Sequence, residues 1–225
     1  LQETGSKRMK VTSKTRKKSS SGSNIIGRKG SEEAKRITLT AHLDAKKGSP
    51  GAIDNATGIV ALQLLSELLS EKNGALQLEL VALNGEDYYS VPGQMAFIQS
   101  KGGDFSDTLL NINMDGAGFH LGQTAFSPME LSADLKQITR KAFSPFPGLV
   151  EGKPWVQGDH SIFLQMGVPA IAISSEWLLE NLQNQQITHT EKDHPGIVDP
   201  DKIVELAMAV SALTERLNLM EYPGD

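Results

Sequence analysis

Ala41-His42-Leu43-Asp44, followed closely by Pro50-Gly51-Ala52-Ile53-Asp54-Asn55-Ala56-Thr57-Gly58, decides how the rest of the chain is read. Residues 37–41 (Ile-Thr-Leu-Thr-Ala) alternate apolar with polar or small side chains, the pattern of a half-buried strand. Residues 56–70 then carry Ile59, Leu62, Leu65 and Leu69 at helical spacing, with Val60, Leu64 and Leu68 widening the stripe. His42, Asp44 and Asp54 therefore fall in a strand-to-helix connection. In α/β folds, ligand-binding and catalytic groups collect beyond the carboxyl ends of the strands. An imidazole with carboxylates at such an edge suits a borderline metal such as zinc.

Working outward, the alternation of strands and helices continues. A lysine-rich strand is expected over Met9–Thr15, a turn over Ser19–Ser23 and a strand at Asn24–Gly27. Beyond the first helix, strands are expected over residues 76–83, 108–114 and 168–173, and helices around 93–100 and 130–143. The last helix starts with Asp199 as N-cap and Pro200 at its first position, and buries Ile203, Leu206, Ala207 and Val210. Residues 44–53, 116–129 and 144–160 read as loops. This order argues for a three-layer α/β/α sandwich around a mixed sheet with a parallel centre.

Composition narrows the function classes. At 225 residues the chain suits one well-buried α/β domain and is short for two. The absence of cysteine excludes disulfides, thiolate metal sites and cysteine nucleophiles. No run of 18 apolar residues occurs, so no membrane-spanning segment is expected. Residues 1–36 hold eleven Lys/Arg against three Glu, while the whole chain has a formal charge of −5. Without interleaved aromatics or Gly-Arg repeats, that basic arm reads as an edge strand guarded by lysines rather than a nucleic-acid site. Localisation stays open, because the chain begins at Leu1 rather than Met, and oligomeric state is open too.

Three successive strands end in acidic groups: His42/Asp44, then Glu86/Asp87, then Asp115. Converging carboxylates with no cation beyond Lys46 and Lys47 raise one another's pKa, and a bound divalent ion resolves that conflict. His189, in Ile187-Thr188-His189-Thr190-Glu191-Lys192-Asp193, supplies a second imidazole.

In this order, His42-x-Asp44, Gly51-Ala52-x-Asp54-Asn55, Glu86-Asp87, Asp115 and His189-Thr190 resemble the zinc aminopeptidase family typified by aminopeptidase Y. The resemblance spans roughly residues 24–210 and implies a single zinc exopeptidase-like catalytic domain over 1–225, whose relatives usually carry a further helix before the first strand. It implies two zinc ions held by His42, Asp54, Asp87, Asp115 and His189, with Asp54 bridging and Asp44 orienting the His42 ring. It also implies Glu86 as general base, a peptide substrate and release of an N-terminal residue. Glutaminyl cyclase, with one zinc, is a relative, as are receptor-like members that have lost their ligands.

Three positions depart from the family pattern. Asp87 replaces the usual second Glu, residues 86–94 are about one residue longer, and Thr188 stands where many relatives have Tyr. Asn55 reads as a helix cap. Tyr88, Tyr89, Asp159 and His160 are candidate substrate contacts, the last two within Gly158-Asp159-His160-Ser161-Ile162-Phe163. Trp155, Phe126 and Trp177 could complete an apolar side-chain pocket with the tyrosines, while His120 and His194 read as loop residues and Met208 as core filling.

Overall fold

The computed structural model describes residues 21–88 and 92–220. In chain order come β1 (Ile25–Lys29), β2 (Arg36–His42), an irregular turn at Ala52–Ala56 and α1 (Thr57–Leu68). Then follow β3 (Gln77–Leu83), a single turn at Glu86–Tyr88, α2 (Pro92–Ser100) and β4 (Thr108–Met114). The second half holds β5 (Thr124–Met129), α3 (Ala133–Phe143), β6 (Leu149–Glu151), α4 (His160–Gln165), β7 (Ala170–Ser175), α5 (Glu176–Asn181) and α6 (Pro200–Asn218).

One sheet runs β1-β3-β2-β4-β7-β5-β6. Its four central strands, β3, β2, β4 and β7, are mutually parallel, while β1 and β5 pair antiparallel with β3 and β7. The mixed sheet with a parallel centre is as the sequence implies. α1, α3 and α6 cover one face over Ile37, Leu39, Leu110, Ile112, Ile171 and Ile173. α2 and α4 cover the other, where Phe97, Phe105 and Phe163 pack edge to face. That makes three layers. Among the described residues no helix is long and apolar enough to cross a membrane.

The reading of β2 as half-buried needs correction: all seven of its residues are buried. Its polar positions face a second layer and satisfy one another there. Thr40 donates to Asn113 Oδ1 at 2.8 Å, Asn111 donates to Thr40 Oγ1 at 3.1 Å, and Thr38 donates to Glu79 Oε2 at 3.1 Å. Glu79 is itself fully buried, and Arg28, Arg36 and Lys101 meet its charge at 2.8, 3.0 and 3.3 Å. A buried carboxylate persists only when paired in this way. Alternation here therefore reports a polar network, not solvent.

Two expected loops contain strands. β5 lies within 116–129 and β6 within 144–160. Pro128 masks β5 in the sequence, because proline supplies no ladder N–H. The structure accommodates it because β6 pairs only with residues 124–126, leaving one side of β5 without a neighbour at Pro128. β6 has just three residues, too few for a periodic signal. On α1, Leu62, Leu65 and Leu69 are buried as expected, but Val60 and Leu68 are 45% and 40% exposed. On α6, Asp199 caps the helix through Asp201 N–H and the four expected residues are buried, whereas Met208 is exposed rather than core filling. The strand expected over Met9–Thr15 lies outside the described residues, as do Tyr89 and part of the turn at Ser19–Ser23.

Candidate metal centre

Parallel strands bring their carboxyl ends to one edge, and the candidate residues gather there. His42 is the last residue of β2, Asp54 lies in the turn before α1, Asp87 follows β3 and Asp115 follows β4. His189 comes from the connection between α5 and α6. Although 147 positions separate His42 from His189 along the chain, Asp54 touches both.

Asp54 Oδ1 lies 3.1 Å from His42 Nε2, and Asp54 Oδ2 lies 3.1 Å from His189 Nε2. Asp115 Oδ1 approaches His42 Nε2 at 3.5 Å, and Asp87 Oδ1 approaches His189 Nε2 at 2.7 Å. Among the described residues three donor groups are compact enough to surround an ion, His42/Asp54/Asp115, Asp54/Asp87/His189 and His42/Asp44/Asp87, and the first two share Asp54. The donor atoms fit a cation by a separate observation. His42 Nε2 and both Asp87 carboxylate oxygens are buried and make no hydrogen bond. Buried polar atoms without partners are uncommon in folded proteins, and oxygen with imidazole nitrogen is a donor set that zinc accepts.

Electrostatics points the same way. Burial pulls the His42 pKa down, but Asp115 and Asp54 push it up further, so it stands well above the ordinary value. Hydrogen bonding to Asp54 raises His189 as well. Asp54 is held below the ordinary carboxylate range, since His189 and His42 outweigh the penalty of its burial. Glu86 is pushed up to about 8, first by burial and then by the Asp115 charge. Burial also raises Asp87, and the Asp54 charge adds to it. The carboxylates therefore draw positive charge onto the histidines, a demand that a metal ion meets in place of protons.

The backbone around the cluster is held by side chains. The Asp44 carboxylate accepts from the backbone N–H groups of Gly85, Glu86 and Asp87, at 2.6, 3.3 and 3.2 Å. His42 Nδ1, by contrast, meets the backbone carbonyl of Asp44 at 3.0 Å, with the nearest carboxylate oxygen 3.8 Å away. So the ring nitrogen is engaged by the Asp44 residue, but through its carbonyl. Asn55 accepts from Gly58 N–H at 3.1 Å and donates to the Met114 carbonyl at 2.9 Å, capping α1 and tying it to the residue before Asp115. Gly58 is required by space: a Cβ there would sit 2.4 Å from Asn55 Oδ1 and 2.5 Å from the Met114 oxygen.

A cavity of about 690 Å³ opens over the cluster, lined among others by Asp54, Glu86, Asp115, Trp155, Leu178 and His189. Of the candidate pocket aromatics among the described residues, only Trp155 lines it. Phe126 packs against Phe143 in the core, and Trp177 against Phe119. Tyr88 is half exposed beneath the Lys46 ammonium and is not among the lining residues. Asp159 is buried, with Gln94 donating to Oδ1 and burial pushing its pKa up to about 6. His160 is fully buried, its Nε2 meeting the Trp155 carbonyl at 2.8 Å and its Nδ1 lying 3.5 Å from Asn113 Nδ2. Neither Asp159 nor His160 lines the cavity. His120 and His194 are exposed loop residues. Sequence reading passed over Asp193, which is fully buried beneath the Asp54 turn. Its only signal was a charge four residues beyond His189.

The model of peptidase family M28 matches residues 24–214. The vacuolar membrane protease of Leptosphaeria maculans is 28% identical over 148 residues, which are 61% of this chain and 18% of that protein. The zinc aminopeptidase BSAP of Bacillus subtilis has the same fold, with a TM-score of 0.74 at 19% identity over 86% of this chain and 49% of that one. The glutaminyl cyclase of Bacteroides thetaiotaomicron, bound to N-acetylhistamine, shares it with a TM-score of 0.70 at 19% identity, over 84% and 76%. The chain thus spans under a fifth of the Leptosphaeria protease and about half of the Bacillus enzyme. With the family match running through all seven strands and every residue of the candidate cluster, the chain belongs to peptidase family M28.

Proposed function

We propose that residues 24–214 form a single catalytic domain that acts as a metal-dependent aminopeptidase with two zinc ions. The observation that carries this reading is the division of the Asp54 carboxylate, one oxygen to each histidine. His42 and Asp115 complete one ion's donor set, and Asp87 and His189 complete the other's. Zinc held there would supply Lewis acidity toward the scissile carbonyl oxygen and a water molecule.

Glu86 has the role of general base, taking a proton from water and passing it to the leaving amine. It lines the cavity without belonging to any of the donor groups, which leaves its carboxylate for proton transfer. Its pKa is pushed up by burial and by Asp115, and cations in the cluster would oppose that shift. Asp87, one methylene shorter than Glu, reaches His189 at 2.7 Å and so stays within the cluster. Asp44 fixes the backbone that presents Glu86 and Asp87.

The test is a set of peptides with free N-termini, the same peptides N-acetylated, and one with N-terminal glutamine, each followed by mass spectrometry with zinc present. Release of the N-terminal residue from free peptides alone is the expected result. Cleavage from the carboxyl end, or equal cleavage of acetylated peptides, overturns the aminopeptidase reading. Cyclisation of the glutamine peptide without cleavage replaces it with the cyclase reading.

A further inference from the structure

We propose that Asp193 is a positioning residue that keeps the shared carboxylate of Asp54 aimed at both histidines, so that the two metal sites stand or fall together. The inference rests on the two-zinc reading above. Asp193 is fully buried, and its carboxylate spans two successive backbone donors. Oδ1 accepts from Ile53 N–H at 2.6 Å and Oδ2 accepts from Asp54 N–H at 3.1 Å. The Asp193 backbone carbonyl accepts from Ala52 N–H at 3.3 Å. One residue therefore holds three consecutive N–H groups of the turn that presents Asp54.

Within the turn, Ala56 N–H donates to the Gly51 carbonyl at 2.9 Å and Thr57 N–H to the Ala52 carbonyl, whereas the N–H groups of Ala52, Ile53 and Asp54 go to Asp193 instead. Asp54 and Asn55 have φ/ψ of −119°/81° and −144°/42°, outside the helical region. At the other end, Asp193 N–H donates to the Thr190 carbonyl at 3.2 Å, closing a tight turn directly after His189. His189 itself has a φ of 64°, a left-handed backbone that a non-glycine residue keeps only when its surroundings enforce it. Asp193 thus joins the loop carrying His189 to the turn carrying Asp54. Because Asp54 faces His42 with one oxygen and His189 with the other, a displaced turn misaligns both donor groups that share it at once.

The chemistry of the fork makes the idea testable. A carboxylate presents two acceptors to two donors. In Asp193→Asn one acceptor becomes an NH2 facing an N–H, while size is unchanged. In Asp193→Glu both acceptors and the charge remain but are displaced by a methylene. The experiment measures stepwise zinc affinity of the full chain by competition with a chromophoric chelator, well below each protein's melting temperature. Asp199→Ala, which removes only the α6 cap, serves as the destabilised control.

The expected result is that Asp193→Asn weakens both zinc steps together by about 10–100-fold, the usual effect of losing a group that orients metal ligands. Asp193→Glu should weaken both as well, and Asp199→Ala should lower the melting temperature with neither step changed. If Asp193→Asn does not fold, the Asp193→Glu titration decides. Wild-type affinity at both steps in whichever variant folds, or loss at one step alone, overturns the inference. Wild-type protein that takes up no zinc overturns the two-zinc reading itself, a result visible before any variant is made.

Discussion

His42 Nδ1 lies 3.0 Å from the backbone carbonyl oxygen of Asp44, closer than either oxygen of the Asp44 carboxylate. A carbonyl only accepts, so Nδ1 carries a ring proton and Nε2 is turned toward Asp54 and Asp115. With the metal-free pKa of His42 well above its ordinary value, Nε2 also carries a proton toward these two carboxylates, and a bound cation would take that proton's place. The same residue uses its side chain elsewhere, on the N–H groups of Gly85, Glu86 and Asp87.

This division of labour separates two effects of mutating Asp44. Asp44→Asn retains the carbonyl contact to His42 but disturbs the turn that presents Glu86 and Asp87. Activity should fall ~10–100-fold. Spectra of a cobalt-substituted protein should show imidazole coordination at His42 retained. Loss of the His42 signal in Asp44→Asn would show that the carboxylate, not the carbonyl, orients the ring.

On α1 the structure divides a stripe that the sequence presents as continuous. Leu65 is fully buried, whereas Leu68 is 40% exposed. Leu65→Ala should cost about 2–5 kcal/mol and Leu68→Ala under about 1 kcal/mol in urea unfolding. Equal costs would mean that α1 is rotated relative to the sheet.

The titrating groups give the metal-free protein a definite pH dependence. Glu86 rises from 4.5 to about 8, with burial the main cause, so the folded state retains a proton that the unfolded chain has released. Stability from this group is fully present below its unfolded pKa and is lost as pH rises toward 8. Asp159, raised to about 6 by burial, acts in the same direction over a lower window. His42 and His189, also raised, extend the loss above their ordinary value of 6.5. Asp54, lowered, contributes with opposite sign and only at pH below its ordinary 3.8. The melting temperature in chelator should therefore fall between about pH 5 and about pH 8, and the fall should be shallower in Glu86→Gln. Added zinc should stabilise more as pH rises, because it competes with protons for the same atoms. A melting temperature that climbs over that range would contradict this assignment.

The central strands and the candidate cluster at their ends were legible because their signals are local: short apolar runs, each closed by an ionisable residue. Asp54 could be placed in a strand-to-helix connection and Asp115 at a strand end from position alone. What stayed hidden depended on partners distant in sequence. The polar positions of β2 look solvent-facing until Asn111, Asn113 and Glu79 arrive from two other strands. β5 is recognisable only beside β7, since Pro128 contradicts the usual strand pattern. Asp193 has no helix or strand to mark it, and its partners lie some 140 residues earlier. Phe126 and Trp177 are aromatic and near loops, yet Phe143 and Phe119 claim them for the core.

The most direct measurement is zinc content by mass spectrometry of the metal-loaded protein alongside hydrolysis of aminoacyl p-nitroanilides, in wild type and Glu86→Gln. The account predicts two zinc ions per chain in both proteins. It also predicts a rate that falls by at least ~10²-fold in the variant, as loss of a general base implies. One zinc without hydrolysis, or a variant as active as wild type, would contradict it.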